Sequence, residues 1–295
     1  MSRVNYKAVV PTFLKQTVER PNKASAGTLS GHAAGEPFEK LVYRTLKSSH
    51  PDNIYKQYEF LNELYSRHPK LTKVDARNSL FNSPTVLFLL SRGDKATKLW
   101  SPTNLFEEKQ DDTADILYND NNYFDIIDVK TRNMGKKAMA PNIISAVKLA
   151  KMCSLMIDND DFENIDIHYV EIDWVEKGGN LECVGSHYAD LFKASPDSLY
   201  INWAAATQIQ FHVSDLEQGW AGTKSEWAHH YIKTFVKSAK ERCKTMLSRY
   251  VCPYLKYLTE EERKEIFGED TSMISISVSL EGMLGDDDSS QDTLF

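Results

Sequence analysis

Two stretches of strand character, Thr113 to Leu117 and Tyr123 to Lys130, flank the polar tetrapeptide Asn119-Asp120-Asn121-Asn122. Asn and Asp tolerate the backbone conformations of a tight reversal, so the pattern predicts a β-hairpin. That hairpin constrains the fold more than any other feature, because three ionisable groups fall on it. Asp128 and Lys130 are two residues apart on a strand and point the same way. The return strand brings Asp115 beside them. Their neighbours Ile126, Ile127 and Val129 are apolar, a setting in which unpaired charge is costly. Two carboxylates and an ammonium are therefore expected together at one end of a sheet.

Helical patterns surround this hairpin. Phe38, Leu41, Val42 and Leu46 share one helical face, and Pro37 is expected in that helix's first turn after a Gly/Ala/Ser-rich loop at 24–35. Further helices are expected over Asn53 to Arg67, from Ser83-Pro84 through Leu90, and over Asn142 to Ile157. After Lys130 the run Thr131 to Lys137 reads as a basic loop. Strands are expected at Ile165 to Trp174 and Leu181 to Val184, joined by the turn Lys177 to Asn180, and again at Leu199 to Trp203 and Gln208 to Val213. Thr223 and Glu226 form a capping-box pair that opens a last helix running towards Leu258, with Pro253 kinking or ending it. The class is α/β, a mixed central sheet flanked by helices.

Phosphodiester hydrolysis suits the three hairpin residues. Carboxylates hold Mg²⁺ through hard oxygen ligands, and the carbonyl of Val129, between the two side chains, is a further candidate ligand. The ion would polarise the phosphate and acidify water, while Lys130 orients or deprotonates that water. A carboxylate and a lysine two apart are also common as plain ion pairs, so the triplet alone leaves a DNA-binding protein without catalysis, or a fold used for protein interaction, as alternatives.

Charge must be read by segment. Of 42 acidic and 35 basic residues, 11 acidic and 2 basic lie from Thr259 onward, leaving 31 and 33 before it. A body near neutrality can bind a duplex if its cations line one cleft. The acidic run Asp286 to Ser290 predicts a disordered extension over 259–295 following one catalytic domain at 1–258. No apolar run approaches a membrane span and no secretory signal is visible, so the cytoplasm is expected. The four cysteines, Cys153, Cys183, Cys243 and Cys252, show no zinc spacing.

Ser30-Gly31-His32-Ala33-Ala34-Gly35-Glu36-Pro37-Phe38-Glu39-Lys40-Leu41-Val42-Tyr43 resembles a block of the HincII/HindII restriction endonucleases, members of the PD-(D/E)xK nuclease superfamily. Leu80 to Thr85, Leu87 to Gly93, Asn104 to Lys109, Thr113 to Asp115, Asp128 to Asn133, Ala140 to Ala146, Leu199 to Ala205 and Gln208 to Val213 extend the likeness in order. It implies a restriction-endonuclease-like fold, a homodimer on double-stranded DNA, and cleavage of GTYRAC after the third base to blunt ends with 5′-phosphates. A methyltransferase of the same restriction-modification system is implied as well. The same chemistry at another sequence, or in repair, is the alternative. On this likeness Asp115 and Asp128 bind metal, Lys130 is catalytic, and Asn142 and Asn202 read bases. Ala138, Met139 and Ala140 lie against DNA. Met139 stands where the family enzyme has a base-wedging glutamine; it can wedge as an apolar group but lacks the amide's hydrogen bonds.

Overall fold

The structure, a computed structural model, describes residues 3–21, 31–67, 83–90, 107, 112–137 and 139–267. Ala138, the glycine-rich segment before Gly31, Asn104 to Phe106 and the acidic stretch at 286–290 lie outside them. Two compact units divide the chain, Met1–Ile232 and Lys233–Phe295.

In the first unit, helix α1 (Tyr6–Val9) leads through a 3₁₀ turn into strand β1 (Thr17–Glu19). Helix α2 spans Gly31–Ser49, starting earlier than expected, so Pro37 sits inside it. Phe38, Val42 and Leu46 recur every fourth residue and are buried, as the periodicity predicted. A short strand β2 (Ile54–Tyr55) precedes α3 (Gln57–Arg67), because Ile54 pairs with Tyr118 and delays the helix. Helix α4 (Pro84–Leu90) has its proline at the first position, and the Ser83 hydroxyl accepts the Val86 N–H at 3.0 Å.

The hairpin is longer and tighter than the sequence indicated. β3 covers Ile116–Asp120 and β4 covers Tyr123–Asn133. Asp120 pairs with Tyr123, leaving a two-residue reversal with Asn121 at φ 57°, a left-handed conformation that asparagine tolerates. Thr131 to Asn133 belong to β4 rather than to a loop. Asn142 to Ser145 is likewise not helical: it forms β5, and helix α5 begins only at Ala146, with Ser145 as its cap. The β-branched pair Ile143-Ile144 suits a strand, and partners arriving some 65 residues later hold it there.

β6 (Ile165–Lys177) and β7 (Asn180–Asp190) form a second hairpin, turned by Gly178 and Gly179 at φ 59° and 82°. Two short strands follow, β8 (Ile201–Asn202) and β9 (Gln208–Gln210), then α6 (Lys224–Tyr250), capped by Thr223 and Glu226 as expected.

Six strands make one mixed sheet in the order β1-β7-β6-β4-β3-β2. β4 and β6 are parallel, which requires the crossover that α5 supplies; the other neighbours are antiparallel. On one face Ile127, Val129, Val170, Ile172 and Trp174 pack with Phe38, Val42 and Leu46 of α2. Strands β5, β9 and β8 form a separate three-stranded antiparallel sheet.

The second unit holds the remainder of α6, then α7 (Cys252–Leu255) and α8 (Glu260–Phe267). Pro253 lies in the first turn of α7, so the long helix ends rather than kinks. Thr259 and Glu262 cap α8 reciprocally, a second capping box that sequence reading did not pick out. Among the described residues no helix is long and apolar enough to cross a membrane.

Candidate active site

β4 carries Asp128, Lys130 and Arg132 on one face and Asp125, Ile127 and Val129 on the other. Asp115 lies one residue before β3, opposite Asp128 by continuation of the Ile116–Ile127 pairing. Its Oδ2 accepts the backbone N–H of Val129 at 2.8 Å. The Lys130 ammonium meets Asp128 Oδ1 at 2.7 Å. Asp115 and Asp128 are themselves within hydrogen-bonding reach of one another. The structure therefore brings together Asp115, Asp128, Val129 and Lys130, as the hairpin pattern predicted.

The electrostatics favour a cation. Burial pushes the Asp128 carboxyl up, Lys130 pulls it down, and the neighbouring Asp115 pushes it up again; the net displacement is upward. Burial opposes the charge on Lys130, but Asp128 and Asp115 outweigh it and raise that pKa. Two carboxylates share one ammonium, one cation too few to keep both of them ionised. Oxygen donors in contact and short of positive charge fit a divalent ion.

Neighbours outside the triplet hold it in place. Gln57, on α3 and 2% exposed, accepts the Ala114 N–H at 2.9 Å and donates to the Leu90 carbonyl at 3.0 Å. It anchors the backbone immediately before Asp115. Next to that point Lys148 donates to the Thr113 hydroxyl at 2.5 Å, which donates to Leu89 O at 2.6 Å. The sequence carries no signal for Gln57 or Lys148 in this role, because each partner is remote along the chain.

Beside Lys130 across the parallel pairing lies Glu171, fully buried. Its carboxylate receives the Val213 N–H at 2.8 Å and meets His212 Nδ1 at 2.8 Å. Glu171 thereby ties the catalytic sheet to the segment just after β9. Arg132, expected in a free basic loop, is instead held by Asp173 through Nε and Nη2 at 2.8 and 2.7 Å. The cations left on that segment are the exposed Lys136 and Lys137, with Met134 and Met139 exposed nearby. Met139 is 84% exposed, and Ala140 partly so.

Asn142 and Asn202, 60 residues apart in sequence, come to the same small sheet. Asn202 Oδ1 accepts the N–H groups of Ala204 and Ala205, at 3.0 and 3.1 Å. Its Nδ2 donates to Gln210 Oε1 at 2.9 Å, and Gln210 Nε2 donates to Asn142 Oδ1 at 2.7 Å.

A second group of metal-ligating type lies on the other face of the six-stranded sheet. Asp125, Asp166 and His168 offer ligand atoms within 4.8 Å of one another. Those atoms are already engaged. Asp125 receives Tyr6 at 2.7 Å and meets His168 at 3.2 Å; the Tyr123 hydroxyl, with one proton to give, lies between Asp125 at 2.5 Å and Asp166 at 2.6 Å, and Asp166 pairs with Lys224 at 2.6 Å. Burial opposes the charge on Asp125, but the bonds from His168, Tyr123 and Tyr6 prevail and hold its pKa below the usual carboxylate range. Hydrogen bonding accounts for this cluster without an ion.

The sequence profile described as "Restriction endonuclease HincII" matches residues 11–258. The type II restriction enzyme HindII of Haemophilus influenzae (strain ATCC 51907 / DSM 11121 / KW20 / Rd) is 54% identical over 253 residues, covering 86% of this chain and 97% of its own. The type II restriction enzyme HincII of Haemophilus influenzae gives the same identity and coverage. Among solved structures, the NlaIV restriction endonuclease aligns at a TM-score of 0.22 and 13% identity, over 48% of this chain and 62% of its own, too weak a likeness to support anything.

Proposed function

Since the chain belongs to the HincII restriction endonuclease family, and is thus a type II site-specific deoxyribonuclease, we propose that it hydrolyses DNA with Mg²⁺ at a site built from Asp115, Asp128 and Lys130. The observation that carries this is the meeting of two carboxylates and one ammonium across the β3–β4 hairpin, with Asp115 held by the Val129 N–H. Asp115, Asp128 and the carbonyl of Val129 would hold the ion. Bound there, magnesium supplies positive charge to a phosphate oxygen and acidity to water.

The chain's own groups do the rest. Lys130, kept protonated by two carboxylates, orients the attacking water and faces the charge that develops on the phosphate. Gln57 and the Val129 N–H keep Asp115 from swinging away when the ion is absent. Asn142 and Asn202 read base edges, and Met139, flanked by Ala138 and Ala140, lies against the bases as an apolar wedge.

The target is double-stranded GTYRAC cut after its third base, leaving blunt ends with 5′-phosphates. A two-fold symmetric site with two cuts calls for two copies of the chain related by a two-fold axis. A host carrying this enzyme needs a methyltransferase that protects the same sequence. Digestion of a plasmid of known sequence with Mg²⁺, followed by end mapping, tests the proposal. Cuts at GTYRAC are expected; cuts elsewhere would reject the site, and an intact plasmid with Mg²⁺ would reject the activity.

A further inference from the structure

The three amides of the small sheet have a defined polarity. Backbone N–H groups can only donate, so the N–H groups of Ala204 and Ala205 identify the Asn202 side-chain atom facing them as oxygen. Asn202 must then present Nδ2 to Gln210, which accepts through Oε1 and donates through Nε2 to Asn142 Oδ1. Each amide has one oxygen and one nitrogen, so the direction propagates without choice along the chain of bonds. At its exposed end the Asn142 Nδ2 remains, an N–H donor turned away from Gln210. Gln210 is itself anchored: its backbone N–H donates to Tyr200 O at 3.0 Å, and its residue pairs with Asn142 across the β5–β9 ladder.

We propose that Gln210 is a positioning residue for sequence recognition: it sets which end of the Asn142 amide meets a base. With Nδ2 outward, Asn142 matches a base-edge acceptor in the major groove, such as a purine N7. An amide free to turn would present oxygen as readily as nitrogen and lose that discrimination. Gln210 touches no base; it acts through Asn142. The inference rests on the reading of Asn142 as a base contact, and the test separates the two.

The enzyme's cleavage site is first mapped, and duplexes are then made with 7-deazaadenine or 7-deazaguanine at each purine in turn, removing one N7 acceptor at a time. For the parent enzyme, kcat/KM should fall about tenfold at one position. Asn142→Ala should abolish that sensitivity. Gln210→Met, similar in shape but unable to relay, should reduce it several-fold. Gln210→Glu accepts from both neighbours, turns the Asn142 oxygen outward, and should also lose it; this variant carries the test if Gln210→Met fails to fold. Because each ratio compares two duplexes with one variant, a general loss of stability or charge repulsion from DNA cancels. Full sensitivity in both Gln210 variants, with loss in Asn142→Ala, would overturn the relay and leave the base contact standing. Unchanged sensitivity in Asn142→Ala, or no sensitive purine in the parent, would overturn the base contact and the relay with it.

Discussion

The carboxylate of Asp115 accepts the backbone N–H of Val129, the residue between Asp128 and Lys130. One bond thus joins the end of β3 to the centre of the site on β4. An asparagine can accept the same N–H but brings no negative charge. Asp115→Asn should therefore keep a thermal midpoint close to that of the parent while cleavage with Mg²⁺ falls by about 10²-fold or more. Calorimetric titration with Ca²⁺, a non-catalytic ion, should show binding in the parent and its loss in the variant. Calcium binding retained at parental affinity would remove Asp115 from the metal site.

Gln57 is the buried brace behind Asp115. Replacing it by Leu leaves the Ala114 N–H and the Leu90 carbonyl without the partner they have here, and unsatisfied buried groups cost about 1–3 kcal/mol each. Urea unfolding of Gln57→Leu should show a loss of that order. Cleavage at saturating Mg²⁺ and a temperature well below the midpoint should fall as well, because the strand entering Asp115 is released. A fully active variant would show that Asp115 is held adequately by Val129 alone.

Period-two alternation made Asp128 and Lys130 legible, since a strand puts residues two apart on one face whatever the tertiary fold. Asp115 became legible only through the turn residues between the strands. Gln57 carried no signal: a glutamine on an amphipathic helix is ordinary until its amide is seen between two backbones. Arg132 reads as loop because of its polarity and the glycine that follows, while the partner that holds it, Asp173, lies 41 residues on. Asn142 reads as helical because of the amphipathic run that starts at Ala146. The competing strand depends on β9, which sequence periodicity near residue 142 cannot reveal.

Acid stability should depend on Asp173. Burial works against its charge, but Arg132 and His187 prevail and hold its pKa below the usual value. A carboxyl with a depressed folded pKa contributes stability above its unfolded pKa, about 4, and loses that contribution as pH falls through the folded value. The thermal midpoint of the parent should therefore drop more between about pH 5 and pH 3 than that of Asp173→Asn, which cannot titrate there. Parallel midpoint-versus-pH curves would remove Asp173 from the acid response.

Gly185 faces Asp173 across the β6–β7 ladder, and a Cβ built there would lie 3.0 Å from Asp173 Oδ2 and 3.2 Å from its Cβ. Something must give by a few tenths of an ångström. Asp173 cannot easily do so, because Arg132 holds both its oxygens and His187 one of them. Gly185→Ala should thus lower stability by about 1–3 kcal/mol, the usual cost of an overpacked site. The double variant Gly185→Ala with Asp173→Ala removes the obstructing carboxylate, so adding Gly185→Ala to Asp173→Ala should cost less than adding it to the parent. Equal costs in the two backgrounds, measured by urea unfolding as a double-mutant cycle, would show that the glycine serves the backbone rather than Asp173.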